Sequence, residues 1–150
     1  MVQILEKNRE YVIVCKPVGI PSQSDPTGDS DAMSIVSDML FAQGDDSALW
    51  LVHRLDRAVG GLLVFARTKR AAAELSRSVA DGNMKKRYLA VAEGQPDGGE
   101  YRDYLYKDAR ISKAFVVDRK RAGVKEAVLE CAPIVTREAL TLCKINLACG

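Results

Sequence analysis

Apolar residues fall in short alternating or continuous runs along most of this chain, and only two stretches carry the three-and-four spacing of a helix. Val2 to Leu5 and Tyr11 to Cys15 read as strands joined through the polar Glu6-Lys7-Asn8-Arg9-Glu10 segment, which is a hairpin pattern. Ala32, Ile35, Val36, Met39 and Leu40 recur at helical spacing behind Ser30, a candidate N-cap, and Gly44 ends the segment. Ala71, Ala72, Leu75 and Val79 repeat the pattern behind Thr68, with Lys69, Arg70, Glu74 and Arg77 on the opposite side and Asp81-Gly82 as the stop. Between the helices, Trp50-Leu51-Val52 leads into a polar corner, and the compact run from Leu62 to Ala66 predicts a buried strand. Strand patterns then dominate: Lys85 to Val91, Tyr104 to Tyr106, Ala114 to Val117, Ala127 to Ala132 and Leu140 to Leu147. The connections are short and charged or rich in Pro and Gly, and 119–125 reads as a basic hairpin tip. The whole pattern predicts an α+β fold on a mixed, largely antiparallel sheet with flanking helices.

At 150 residues and 47% apolar, the chain is long enough for one sizeable core and short for two independent domains, so a single domain, 1–150, is expected. A formal charge of +2 permits a nucleic-acid partner without demanding one, which leaves local clusters to carry that argument. Cys15, Cys131, Cys143 and Cys149 show no Cys-x-x-Cys spacing, and His53 is the sole histidine. No metal site is expected, and the thiols read as reduced and structural. Neither a signal-peptide core nor a run of membrane-spanning length is visible, and a cytoplasmic location is the simplest expectation.

Chemistry concentrates between Leu51 and Thr68, where Asp56 stands between Arg54 and Arg57 ahead of Gly60-Gly61. Two readings of Asp56 stay open on the residues alone: a turn aspartate with a neighbouring arginine as surface partner, or a reactive carboxylate on a strand-to-turn corner. His53 reads as structural, since one histidine in an apolar segment is more often a packing residue than a proton carrier. Upstream, Lys16-Pro17-Val18-Gly19-Ile20-Pro21 predicts a rigid loop, and Ser22 to Asp29 a polar, flexible connector. Lys85, Lys86 and Arg87, ahead of Tyr88, are either a solvated strand edge or a phosphate contact.

The string His53-Arg54-Leu55-Asp56, followed by Gly61-Leu62-Leu63-Val64-Phe65-Ala66-Arg67-Thr68, resembles the signature of the RluA-type RNA pseudouridine synthases. The loop Lys16-Pro17-Val18-Gly19 is similar to that family's Lys-Pro-x-Gly element, and Lys86-Arg87-Tyr88-Leu89-Ala90-Val91 to its Lys-x-Tyr-Leu-Ala-Val element. Leu105-Tyr106-Lys107-Asp108 and Ser112-Lys113-Ala114 resemble further short segments, and the chain departs from the commoner pattern at Val59 and Gly60. The run from Thr141 to Gly150 resembles the strand entering the family's Gly-Arg-x-His-Gln-Ile-Arg element, which implies a catalytic domain that is incomplete at its C-terminus.

The resemblance implies a pseudouridine-synthase-like fold with a central cleft, and isomerisation of a specific uridine in structured RNA, ribosomal or transfer, after the base is flipped out. No cofactor is needed, because the base is only detached, rotated and rejoined. Asp56 takes the catalytic role, as nucleophile or base, and Tyr88 faces the flipped base. Arg54 engages the RNA around the vacated position, and Arg57, Lys85, Lys86 and Arg87 are the further cations placed on RNA. Two alternatives remain: a catalytically inactive RNA-binding fragment of such an enzyme, and a hydrolase using Asp56, for which no second carboxylate or histidine stands at an informative spacing.

Overall fold

The computed structural model describes residues 1–111 and 113–149, so that Ser112 and Gly150, each within a family-like segment, lie outside the described residues. Its contacts divide the chain into two compact units, Met1–Asn83 and Met84–Gly150.

In the first unit, β1 (Gln3–Lys7), β2 (Tyr11–Lys16), β3 (Trp50–Leu51) and β4 (Gly61–Ala66) form a sheet in the order β1-β2-β4-β3, with every pairing antiparallel. The β1–β2 hairpin closes on Asn8, whose side-chain oxygen accepts from the amides of Glu10 and Tyr11 at 2.8 and 2.9 Å. Strand alternation decides what is buried: Val12, Val14, Leu63 and Phe65 are wholly enclosed, whereas Leu62 is 62% exposed. The expected buried run is therefore a strand with one wet face.

Helices α1 (Ala32–Ala42) and α2 (Lys69–Ala80) supply much of the remaining apolar surface. Ala32, Val36 and Leu40 of α1 are fully buried, while α2 buries Ala71 and packs on β3 and β4. The α1 cap falls one residue later than the sequence predicts: Asp31, not Ser30, accepts from the Ser34 amide at 3.0 Å and from the Ser34 hydroxyl at 2.7 Å. Thr68 caps α2 as expected, accepting from the Ala71 amide at 3.1 Å. No helix among the described residues is long and apolar enough to cross a membrane.

The second unit is one five-stranded antiparallel sheet, β5 (Lys86–Glu93), β6 (Gly99–Asp108), β7 (Lys113–Val117), β8 (Val124–Arg137) and β9 (Leu140–Cys149), ordered β5-β9-β8-β6-β7. The α+β class with antiparallel pairing is as expected, but the strands divide between two sheets. β8 and β9 meet through a turn at Glu138, whose φ of 53° is a left-handed conformation unusual for a side-chain-bearing residue. The expected hairpin at 119–125 is absent. β7 and β8 both pair with β6, on opposite sides, so the connection between them crosses β6 instead of folding back on itself.

Candidate active site

Asp56 lies in the first unit, exposed, at the start of a turn closed by the Val59 amide donating to the Asp56 carbonyl at 3.0 Å. Each backbone position around it is held from a different direction. The buried Ser22 hydroxyl donates to the Leu55 carbonyl at 2.7 Å and accepts from the Leu55 amide at 2.9 Å. Ser22 is itself seated on α1, since its carbonyl accepts from the Met33 amide at 3.2 Å and that of Pro21 from the Ala32 amide at 2.9 Å. The Gly19 amide donates to the Arg57 carbonyl at 2.7 Å. Gly60 passes so close to the 16–18 loop that an added Cβ would lie 3.3 Å from the Lys16 carbonyl oxygen, a tight contact that a glycine avoids.

Lys16 is the keystone of the corner. It is 0% exposed, and its ammonium donates to the carbonyls of Ile20 at 2.6 Å, Pro17 at 3.1 Å and Asp56 at 3.2 Å, using all three of its protons. A lysine is rarely enclosed unless satisfied in this way. Burial pushes its pKa below the ordinary lysine range, and the Asp56 carboxylate acts in the opposite sense.

Arg57 closes the arrangement from outside. Its guanidinium donates to Asp29 at 2.6 Å, to Thr27 at 2.7 Å and to Asp25 at 3.0 Å, while the Thr27 hydroxyl also donates to Asp25. The Thr27 hydroxyl and then Arg57 lower the Asp25 pKa; at Asp29 the order is reversed. The 22–29 segment, expected as a flexible connector, is thus fastened to the turn that carries Asp56. The hydroxyl of Ser22 and the Asp-x-Thr-x-Asp spacing were the available signals, but nothing local tells that their partners lie some thirty residues downstream.

Arg54 is exposed beside Asp56, and no ion pair holds it among the described residues. His53 accepts from the Val64 amide through Nε2 at 3.2 Å, which ties the ring to β4. The resulting site is a solvent-facing carboxylate beside an exposed cation, on a backbone held from inside by the buried Lys16 and Ser22 and from outside by Gly19 and Arg57. Such a carboxylate can attack, or take a proton from, a substrate brought to it, with little reorganisation of its support.

Lys85, Lys86, Arg87 and Tyr88 are grouped in the second unit at the entry to β5. Alternation splits the basic run: Lys86 and Tyr88 are half-buried on one face, opposite Leu147 and Ile145 of β9, while Arg87 is exposed on the other, opposite Asn146. Structure therefore brings Arg54, Asp56 and Arg57 into one corner, and Lys86 and Tyr88 onto one sheet face.

A sequence model of the family described as RNA pseudouridylate synthase matches residues 10–150. The chain belongs to this family. RNA pseudouridine synthase 7 of Arabidopsis thaliana is 40% identical over 93 residues, which are 62% of this chain and 23% of that protein. Ribosomal large subunit pseudouridine synthase C of Rickettsia bellii is 27% identical over 106 residues, 69% of this chain and 34% of the relative. The solved structure of human RNA pseudouridylate synthase domain containing 4 superposes with a TM-score of 0.80 at 20% identity, covering 99% of this chain and 59% of that one. That likeness shows the pseudouridylate synthase fold, and the chain spans well under two thirds of its curated relatives' length.

Proposed function

We propose that this chain carries the Asp56-bearing part of an RNA pseudouridine synthase catalytic domain, which converts a uridine in structured RNA to pseudouridine. The observation that carries the reading is the exposed Asp56 carboxylate on a corner pinned by Lys16, Ser22, Gly19 and Arg57, within the string that resembles the family's signature. In the reaction, the bond from ribose C1′ to uracil N1 breaks and a bond from C1′ to C5 forms. The C5 proton leaves to solvent and N1 takes one up, so atoms and electrons balance with no oxidant or energy source. Asp56 acts on the detached base or its sugar as nucleophile or base, Tyr88 offers an aromatic face to the flipped uracil, and Arg54 fills in for the base that has left its stack. The name of the Rickettsia relative makes ribosomal RNA the first substrate to try, with transfer RNA next.

The test is tritium release from RNA labelled at uracil C5, by the protein encoded in the complete reading frame that contains these residues. Asp56→Asn is expected to lower release by at least about a thousandfold, while thermal unfolding and RNA affinity stay near the parent's. Turnover by Asp56→Asn near the parent rate sinks the assignment, and RNA binding without release by the parent favours the binding-only alternative.

A further inference from the structure

Positive charge is not spread evenly over the chain. Residues 107–121 hold six lysines and arginines against two aspartates, a net +4 in fifteen residues, whereas the whole chain is only +2 and the remainder is therefore net negative. One of the six, Arg110, is paired with Asp108 at 3.2 Å, but among the described residues no ion pair occupies Lys113, Arg119, Lys120 or Arg121.

The fold puts aromatic faces among these cations. Tyr106 of β6 and Phe115 of β7 are direct cross-strand partners, so their rings share one face of the sheet, where they are 37% and 47% exposed. β7 ends level with Tyr104 and β8 begins level with Tyr106, so the six-residue connection must cross β6 on its way back. It crosses on the tyrosine's side: the Arg121 guanidinium lies 5.8 Å from the Tyr106 ring centroid, and Gly123 approaches the same ring. Between the end of β7 and this crossover is an open concavity of about 470 Å³ bordered by Arg119, Arg121 and Asp118. Phe115 on the edge strand thus presents an aromatic face beside the exposed Lys113, Arg119, Lys120 and Arg121.

We infer that this face, built from Tyr106, Phe115, Lys113, Arg119, Lys120 and Arg121, binds unpaired RNA, with the cations on phosphates and the rings on bases. None of its residues belongs to the Asp56 corner. Phosphates would be neutralised along the crossover while Phe115, and Tyr106 beneath Arg121, offer stacking surface, a combination suited to splayed nucleotides and poorly suited to a duplex. The inference rests on RNA being the partner in the proposed function, and it names a second set of residues that holds that RNA.

Fluorescence anisotropy with a short labelled oligouridine, titrated over salt, tests it. The triple variant Arg119→Gln, Lys120→Gln, Arg121→Gln is expected to bind at least about tenfold more weakly, with the slope of log affinity against log salt shallower by about 2, near 0.7 per single-strand phosphate contact. Phe115→Ala is expected to lose roughly fivefold to a hundredfold with the salt slope unchanged, because stacking releases no counterions. A charge-matched control, Arg9→Gln, Lys69→Gln, Arg77→Gln, should stay within about twofold of the parent, and circular dichroism should show all variants folded. The inference is overturned if the triple variant binds like the parent, if the control loses as much, or if the parent prefers a paired duplex. Equal binding to phosphatidylserine vesicles, with Phe115→Ala changing neither, also overturns it in favour of a general anion patch. Tritium release separates this result from the proposed activity: a patch that binds without any release sinks only the activity, and release with an inert patch sinks only the patch.

Discussion

The two units solve the problem of burying a sheet differently. In the first, four strands are combined with two helices, and Val12, Val14, Val36, Leu40, Leu63 and Phe65 are wholly enclosed. In the second, five strands form a sheet with no helix among the described residues, of which few, Cys143 and Thr141 foremost, are comparably buried. Leu89, Val91, Val135 and Leu140 are half or more exposed there. The lesson is where each unit draws its order. The first has a packed core that can hold a functional loop rigid; the second leaves one face of β5 exposed at Leu89 and Val91, while Lys86, Tyr88 and Ala90 on the other are half-buried.

The sharpest way to break this comparison is a pair of truncations. Phe65→Ala, in β4 between Val12 and Leu51, should cost about 3–5 kcal/mol of unfolding free energy. Leu89→Thr in β5, at 70% exposure, should change it by no more than about 0.5 kcal/mol. Urea unfolding measures both, and similar losses would show that the second sheet buries more than its surface indicates.

Next in size is Lys16→Met, which keeps the apolar stem but strips the donors from three carbonyls. A loss of about 2–4 kcal/mol is expected, with catalysis falling further than stability because the Asp56 turn loses its anchor. Equal activity per folded molecule would mean that the turn is held without it. In the second unit, Tyr88→Ala should weaken the activated complex by about 1–3 kcal/mol, whereas Tyr88→Phe should lose much less. Single-turnover tritium release separates them, and a Phe variant as damaged as Ala would assign the contribution to the hydroxyl.

The smallest effect is a pH dependence at Asp25, Asp29 and Asp45 of the first unit. Asp25 and Asp29 have folded pKa values below the ordinary 3.8, so their contacts with Thr27 and Arg57 add stability that is full above that value and is lost as pH falls below it. Lys7 and Arg67 hold Asp45 down to about 2 in the same sense, which extends the loss at that position towards pH 2. Amide exchange at Thr27, whose N–H donates to Asp25 at 3.0 Å, should rise relative to its intrinsic rate at each pH on acidification below pH about 4. Arg57→Gln should raise that exchange at neutral pH and flatten its acid dependence. An unchanged profile would show the 22–29 segment to be held by Ser22 alone.

Much of this protein is written in local pattern. Alternation at Tyr11–Lys16 and Lys86–Glu93, helical spacing behind Thr68, and the His53-to-Asp56 string are short-range features, because strand and helix periods and turn chemistry act over a few residues. Tertiary structure alone decided the rest. Whether Leu62 is wet or dry depends on which face of β4 the helices cover, and the 118–123 connection becomes a crossover only because β7 and β8 choose the same partner strand. Above all, Ser22 and Arg57, and Lys16 in its contact with Asp56, acquire their roles from partners 28 to 40 residues away in the chain. A polar side chain states in sequence that it must be satisfied; only the folded chain says by whom.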